Sequence, residues 1–162
     1  MRTGCAVHCI ALCFISSFLC CDYANAAACE TVGFEQVPVE QLDARLARYA
    51  ALPTWQLIDD KKFKEKYLAT IRSKNLPVWA KELDVAGSPG TPYANGKKIV
   101  LMYLGNKIHE GNKGLRIIFD PISSQISGKF TEEFLELITQ NRTIYFGKTD
   151  KATRSLLDCE VN

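Results

Sequence analysis

Apolar positions recur at helical spacing in two stretches beyond residue 37. Over residues 38–51, Val39, Leu42, Leu46 and Tyr49 share one face, with Pro38 suited to a first-turn position. Over residues 59–73, Phe63, Tyr67, Leu68 and Ile71 do the same. Asp59 and Asp60 stand at the start of that stretch and Arg72 and Lys74 near its end, the order of charge that suits a helix dipole. These patterns predict two helices. After Asn75 the chain turns to short apolar runs broken by Gly, Pro and Asn, the mark of antiparallel strands and turns. Residues 76–83 read as a first strand or extended segment, 88–96 (SPGTPYANG) as a loop, 97–104 as a strand and 115–119 as another. Asp120-Pro121 is a turn, and residues 125–131 form a further strand. Ile99, Val100, Leu101, Met102, Tyr103 and Leu104 run with little polar alternation, which predicts a strand covered on both faces. Residues 131–140 stay ambiguous, since Phe134, Leu135, Leu137 and Ile138 fit a helix, while residues 143–146 fit a final strand. The sum is an α+β fold: an antiparallel sheet of about five strands with the N-terminal helices packed on one face.

The first 26 residues read differently. Arg2 supplies a short positive region, residues 5–21 form a nearly unbroken apolar run, and Ala24, Asn25 and Ala26 give a small-x-small cleavage site. The run is short for a bilayer span, which needs roughly 20 apolar residues. The segment therefore reads as a cleaved signal peptide, and the mature chain, residues 27–162, as one exported domain without repeats or linkers. Five of the seven cysteines leave with the signal; Cys29 and Cys159 remain and read as one disulfide joining the two ends. Free thiols, or lipidation of Cys29, are the alternatives; the lipoprotein box around Cys29 lacks its usual Leu. Twenty basic and 18 acidic residues give a net charge of +2, and the cut removes one of each. So weak a balance argues against a nucleic-acid partner or a polybasic membrane ligand.

Of the two histidines, His8 lies in the signal, so His109 is the mature chain's only one. A His-based zinc site cannot be assembled from it, and no G-x-S-x-G elbow, Walker A loop or dinucleotide fingerprint occurs. No cofactor is implied, and the chain does not read as an enzyme. Glu132 and Glu133 read as solvated surface. Trp55 and Trp79 read as core or sheet-packing residues rather than sugar-stacking platforms. The positive signal is where His109 sits: residues 105–114 (GNKIHEGNKG) lie between two strongly apolar strands. Their glycines suit an exposed hairpin loop with Lys107, Ile108, His109 and Glu110 at its tip. From residue types alone the same segment reads first as a polar turn in which His109 has no task.

Leu76-Pro77-Val78-Trp79, Gly90-Thr91-Pro92, Gly96, the apolar strand, Lys107-x-His109-Glu110, the next strand and Gly128-x-Phe130 occur in that order. Together they resemble the inhibitors of vertebrate (C-type) lysozyme, a family of exported bacterial proteins. The resemblance spans residues 76–130. It implies a sheet-plus-helix fold, a periplasmic location, and a C-type lysozyme as partner, whose cleft the projecting loop would plug. His109 would be the plug and Glu110, in place of the family's Asp, a contact to basic residues at the cleft rim. Lys107 occupies its family position, and Gly105, Gly111 and Gly114 would give the loop its shape. The two cysteines that staple the family's loop are here Asn106 and Gly111, and its Pro is Ile108, so the chain resembles a divergent member without the loop disulfide. A periplasmic immunity-type or structural module for another exported protein stays open as the other reading, and so does a homodimer.

Overall fold

Asp43 and Asp60 decide where the two N-terminal helices begin. The computed structural model describes residues 33–106, 113–132 and 142–159. The Asp43 carboxylate accepts from the backbone N–H groups of Arg45 and Leu46, 3.0 Å each, and helix α1 runs Ala44–Ala50. The single helix expected over residues 38–51 is thereby divided: Val39–Gln41 is a separate 3₁₀ turn, and Leu42 between them is extended. Asp60 accepts from the Phe63 N–H at 2.8 Å and starts helix α2, Lys61–Ile71. A second 3₁₀ segment, Thr54–Asp59, precedes it.

Residues 76–83, expected to be extended, instead hold a short helix, α3, Val78–Glu82. Pro77 enters it with a pre-set φ and no N–H to leave unpaired. Trp79 and Ala80 are buried, and Leu83, at φ 55°, ends the helix in the left-handed region.

Among the described residues the sheet has six strands where about five are expected. They are β1 (Glu35–Gln36), β2 (Thr91–Asn95), β3 (Lys98–Asn106), β4 (Lys113–Asp120), β5 (Gln125–Glu132) and β6 (Arg142–Gly147). Their order in space is their order in sequence, and every neighbouring pair is antiparallel. Strand β2 lies inside the segment expected to be a loop. Its Pro92 turns its carbonyl toward the β1 side, where the Val37 N–H donates to it at 3.0 Å just past the end of β1. The Asp120-Pro121 turn is as expected: the Asp120 carboxylate accepts from the Ile122 and Ser123 N–H groups and the Ser123 hydroxyl.

Period-two alternation divides the sheet residues between two cores. Leu101, Tyr103, Leu115, Ile117 and Phe119 face α1, α2 and α3, together with Ile126, Phe130 and Phe146. Phe119 is edge-on to both Tyr49 and Phe63, with centroids 5.3 Å apart in each pair. Two tyrosines tie helices to this core through their hydroxyls: Tyr103 donates to the Tyr49 carbonyl at 2.8 Å, and Tyr67 to the Ala80 carbonyl at 2.5 Å. Burial pushes both phenols well above the usual tyrosine range, so they stay protonated donors. Phe146 lies so close over β5 that a Cβ on Gly128 would stand 2.0 Å from its ring.

The other face carries Tyr93, Val100, Met102 and Ile118 with Phe34. Strand β3 is thus covered on both sides, as its unbroken apolar run predicts. The cover on this face is a helix that the apolar spacing does not announce: α4, Lys151–Asp158, which buries Leu156 and Leu157. Its start is fixed by Asp150, whose carboxylate accepts from the Thr153 N–H at 2.7 Å. Among the described residues no helix is long and apolar enough to cross a membrane.

Candidate functional site

Strands β3 and β4 carry the segment that includes His109. Their register pairs Gly105 with Leu115 and Asn106 with Gly114. Gly105, Asn106 and Gly114, expected in the loop, are therefore strand residues. Neither glycine has a positive φ. The ladder runs past the apolar side chains because backbone pairing needs no apolar residue. Lys107, Ile108, His109, Glu110 and Gly111 lie outside the described residues, as do residues 1–26 and Cys29. Cys159 is buried just past α4. Its expected bridge rests on Cys29 and so falls outside the described part. Residues 133–141, most of the ambiguous segment, lie outside it too.

The two stems of the hairpin are tied to the rest of the molecule. Strand β2 begins at Thr91 opposite Met102, so among the described residues no strand lies along that side of β3 beyond Met102. There Thr54 takes over: its hydroxyl donates to the Leu104 carbonyl at 2.9 Å, with the residue 0 % exposed. Only glycine fits at position 87 beside them, since a Cβ would stand 1.9 Å from the Leu104 oxygen and 2.2 Å from the Thr54 hydroxyl. Val85 packs where a side chain on Gly105 would begin, 3.1–3.3 Å from that position. On β4 the Arg116 guanidinium donates to the carbonyls of Leu157, at 2.9 Å, and Cys159, closing the C-terminal end of α4.

A second concave feature lies beside the Thr54 clamp. The 3₁₀ segment repeats every three residues, so Thr54 and Leu57, both fully buried, point inward while Trp55 turns out. Trp55 is 51 % exposed, against 5 % for Trp79, so the expectation of a packing role holds for Trp79 and fails for Trp55. Trp55 lines a cleft of about 560 Å³ together with Arg48, Gln56, Asp59 and Asp60. One wall of that cleft is held rigidly. Asp60 Oδ2 accepts from the Tyr49 hydroxyl at 2.8 Å and from the Arg48 guanidinium at 3.3 Å, while its Oδ1 caps α2. Arg48 lies over the Tyr49 ring, 5.1 Å from its centroid. Partial burial, and next the bond to Asp60, raise the Tyr49 phenol above its usual range.

Among the described residues no group of three or more His, Cys, Asp and Glu side chains stands where it could hold a metal ion. No family model matches the chain, and no curated protein does.

Proposed function

We propose that the chain is an exported, periplasmic inhibitor of C-type lysozyme that presents residues 107–111 to the enzyme's cleft. What supports the reading, beside the resemblance over residues 76–130, is the way the β3–β4 hairpin is held at its base. Lysozyme cleaves peptidoglycan with two carboxyl groups, one held protonated and one ionised. An imidazole entering between them can donate to one and accept from the other, while the loop backbone keeps the glycan out. Inhibition of this kind is occupancy, so the protein itself carries no catalytic group and no cofactor. Glu110 would meet basic residues at the cleft rim and Lys107 would flank the plug.

Such a loop binds tightly only if little freedom is lost on binding. The family closes its loop with a disulfide; here Asn106 and Gly111 stand at those positions. The Thr54–Leu104 bond, the Gly87 and Gly105 approaches and the Arg116 contacts fix the two stems instead.

The test is a titration of the purified mature chain against a C-type lysozyme acting on a cell-wall suspension. Inhibition at micromolar concentration or below is expected, and His109→Ala should weaken it tenfold or more. Undiminished lysis at micromolar inhibitor would sink the proposal, and full potency of the His109→Ala protein would remove the role given to the imidazole.

A further inference from the structure

We infer that the Trp55 cleft is a binding site for a neutral oligosaccharide, one sugar ring stacking on the indole and its hydroxyls bonded by the flanking polar side chains. The inference does not rest on lysozyme inhibition. It begins from an indole that the fold turns outward although its neighbours Thr54 and Leu57 are fully buried. The 3₁₀ segment is anchored by both, and at its end by Asp60, so the ring stands on a fixed platform. Large aromatic rings gain most where one face is dry and an edge stays wet, which is the situation a stacked pyranose creates.

The surroundings choose among ligand classes. Among the described residues the exposed large apolar ones other than Trp55 are Val39, Leu68, Val78 and Ile122, none of which lines the cleft, and Leu52, which does, is partly buried against the core; a protein interface would need a broader apolar centre. Arg48 and Lys61 line the cleft together with Asp59 and Asp60, two charges of each sign, so the site offers no net field for a phosphate or an acidic chain. It offers instead planar donors and acceptors: the Gln56 amide, the Asp59 carboxylate and the Arg48 guanidinium, the last bonded to Asp60 and lying over Tyr49. Vicinal hydroxyls match such planar groups. The hollow, about 560 Å³, is open to solvent, so a chain can run on beyond the one ring that stacks.

Binding is read by tryptophan fluorescence and calorimetry on the mature chain with chitohexaose and cellohexaose as probes and no lysozyme present. Because Trp79 is buried, the exposed indole should carry the signal. The expected result is saturable quenching with a blue shift for at least one probe, an affinity loss of tenfold or more in Trp55→Ala, and a smaller loss in Trp55→Phe, which keeps a ring. Gln56→Ala, away from the Asp60 network, should weaken binding several-fold and guards against a Trp55→Ala protein that fails to fold. Trp55→Ala should leave the lysozyme titration unchanged, which separates this site from the proposed loop. No binding of either probe up to millimolar concentration, or equal affinity in the wild-type and Trp55→Ala proteins, overturns the inference.

Discussion

Thr54 shows what a single hydroxyl does where a strand runs out. The Leu104 carbonyl would otherwise lie against Gly87 with no strand partner on that side among the described residues. Thr54→Val keeps the shape and removes the donor, so it should cost ~1–3 kcal/mol, the penalty of a polar group left unpaired in the interior. The expected reading is a lower denaturant midpoint at unchanged slope; a midpoint equal to wild type would mean the bond contributes nothing. This role is invisible in sequence because the partner is far along the chain and the contact is to backbone. His109, by contrast, is legible as a candidate, being the lone imidazole among glycines between two apolar strands. Trp55 is misread because a tryptophan among apolar neighbours usually packs inward. The deciding fact is a period of three over Thr54–Asp59, too short a stretch for spacing to reveal.

Helix α4 depends on its two terminal carboxylates. Asp150 is held below the usual carboxylate range by the Thr153 N–H and hydroxyl. Burial works to raise Asp158, but bonds from Lys129 at 2.6 Å and Tyr145 at 2.5 Å, with the charges of Lys129 and Arg116, outweigh it and leave it lowered as well. Both groups bind protons more weakly folded than unfolded. Their contribution is therefore complete above the unfolded carboxylate range of about 4 and is lost as pH falls through the folded values. Amide protection in α4 should fall in acid before that of β3 and β4; hydrogen exchange at pH 5 and pH 2.5 measures it, and equal loss across all three elements would contradict it. α2 is legible because eleven residues show the helical period and Asp60 caps them. α3 has five residues and α4 eight, too few for spacing to separate them from other structure. β2 is hidden by Pro92, Asn95 and the adjoining glycines, residue types that elsewhere signal a loop.

At the scale of the molecule, a net charge of +2 gives no long-range attraction toward a cationic lysozyme. Association in the proposed complex should therefore be insensitive to salt, with the on-rate staying within about twofold as ionic strength rises from roughly 0.05 to 0.5 M. A steep fall in stopped-flow rates would reveal local steering instead. The α+β class follows from patterns that are additive along the chain: helical spacing first, short apolar runs after. The two-sided cover of the sheet was legible only in part, since β3 announces that both faces are buried without saying which element buries the second. From β2 to β6 each strand pairs with the one just made, so for a chain emerging N-terminus first the sheet can close hairpin by hairpin. β1 alone must wait, because residues 37–90 separate it from β2. The Val100–Met102–Ile118 face stays open until α4 arrives. The helix that covers the apolar surface bare longest thus follows all the described strands in the chain, and a chain truncated before Lys151 would keep that surface as a site for aggregation.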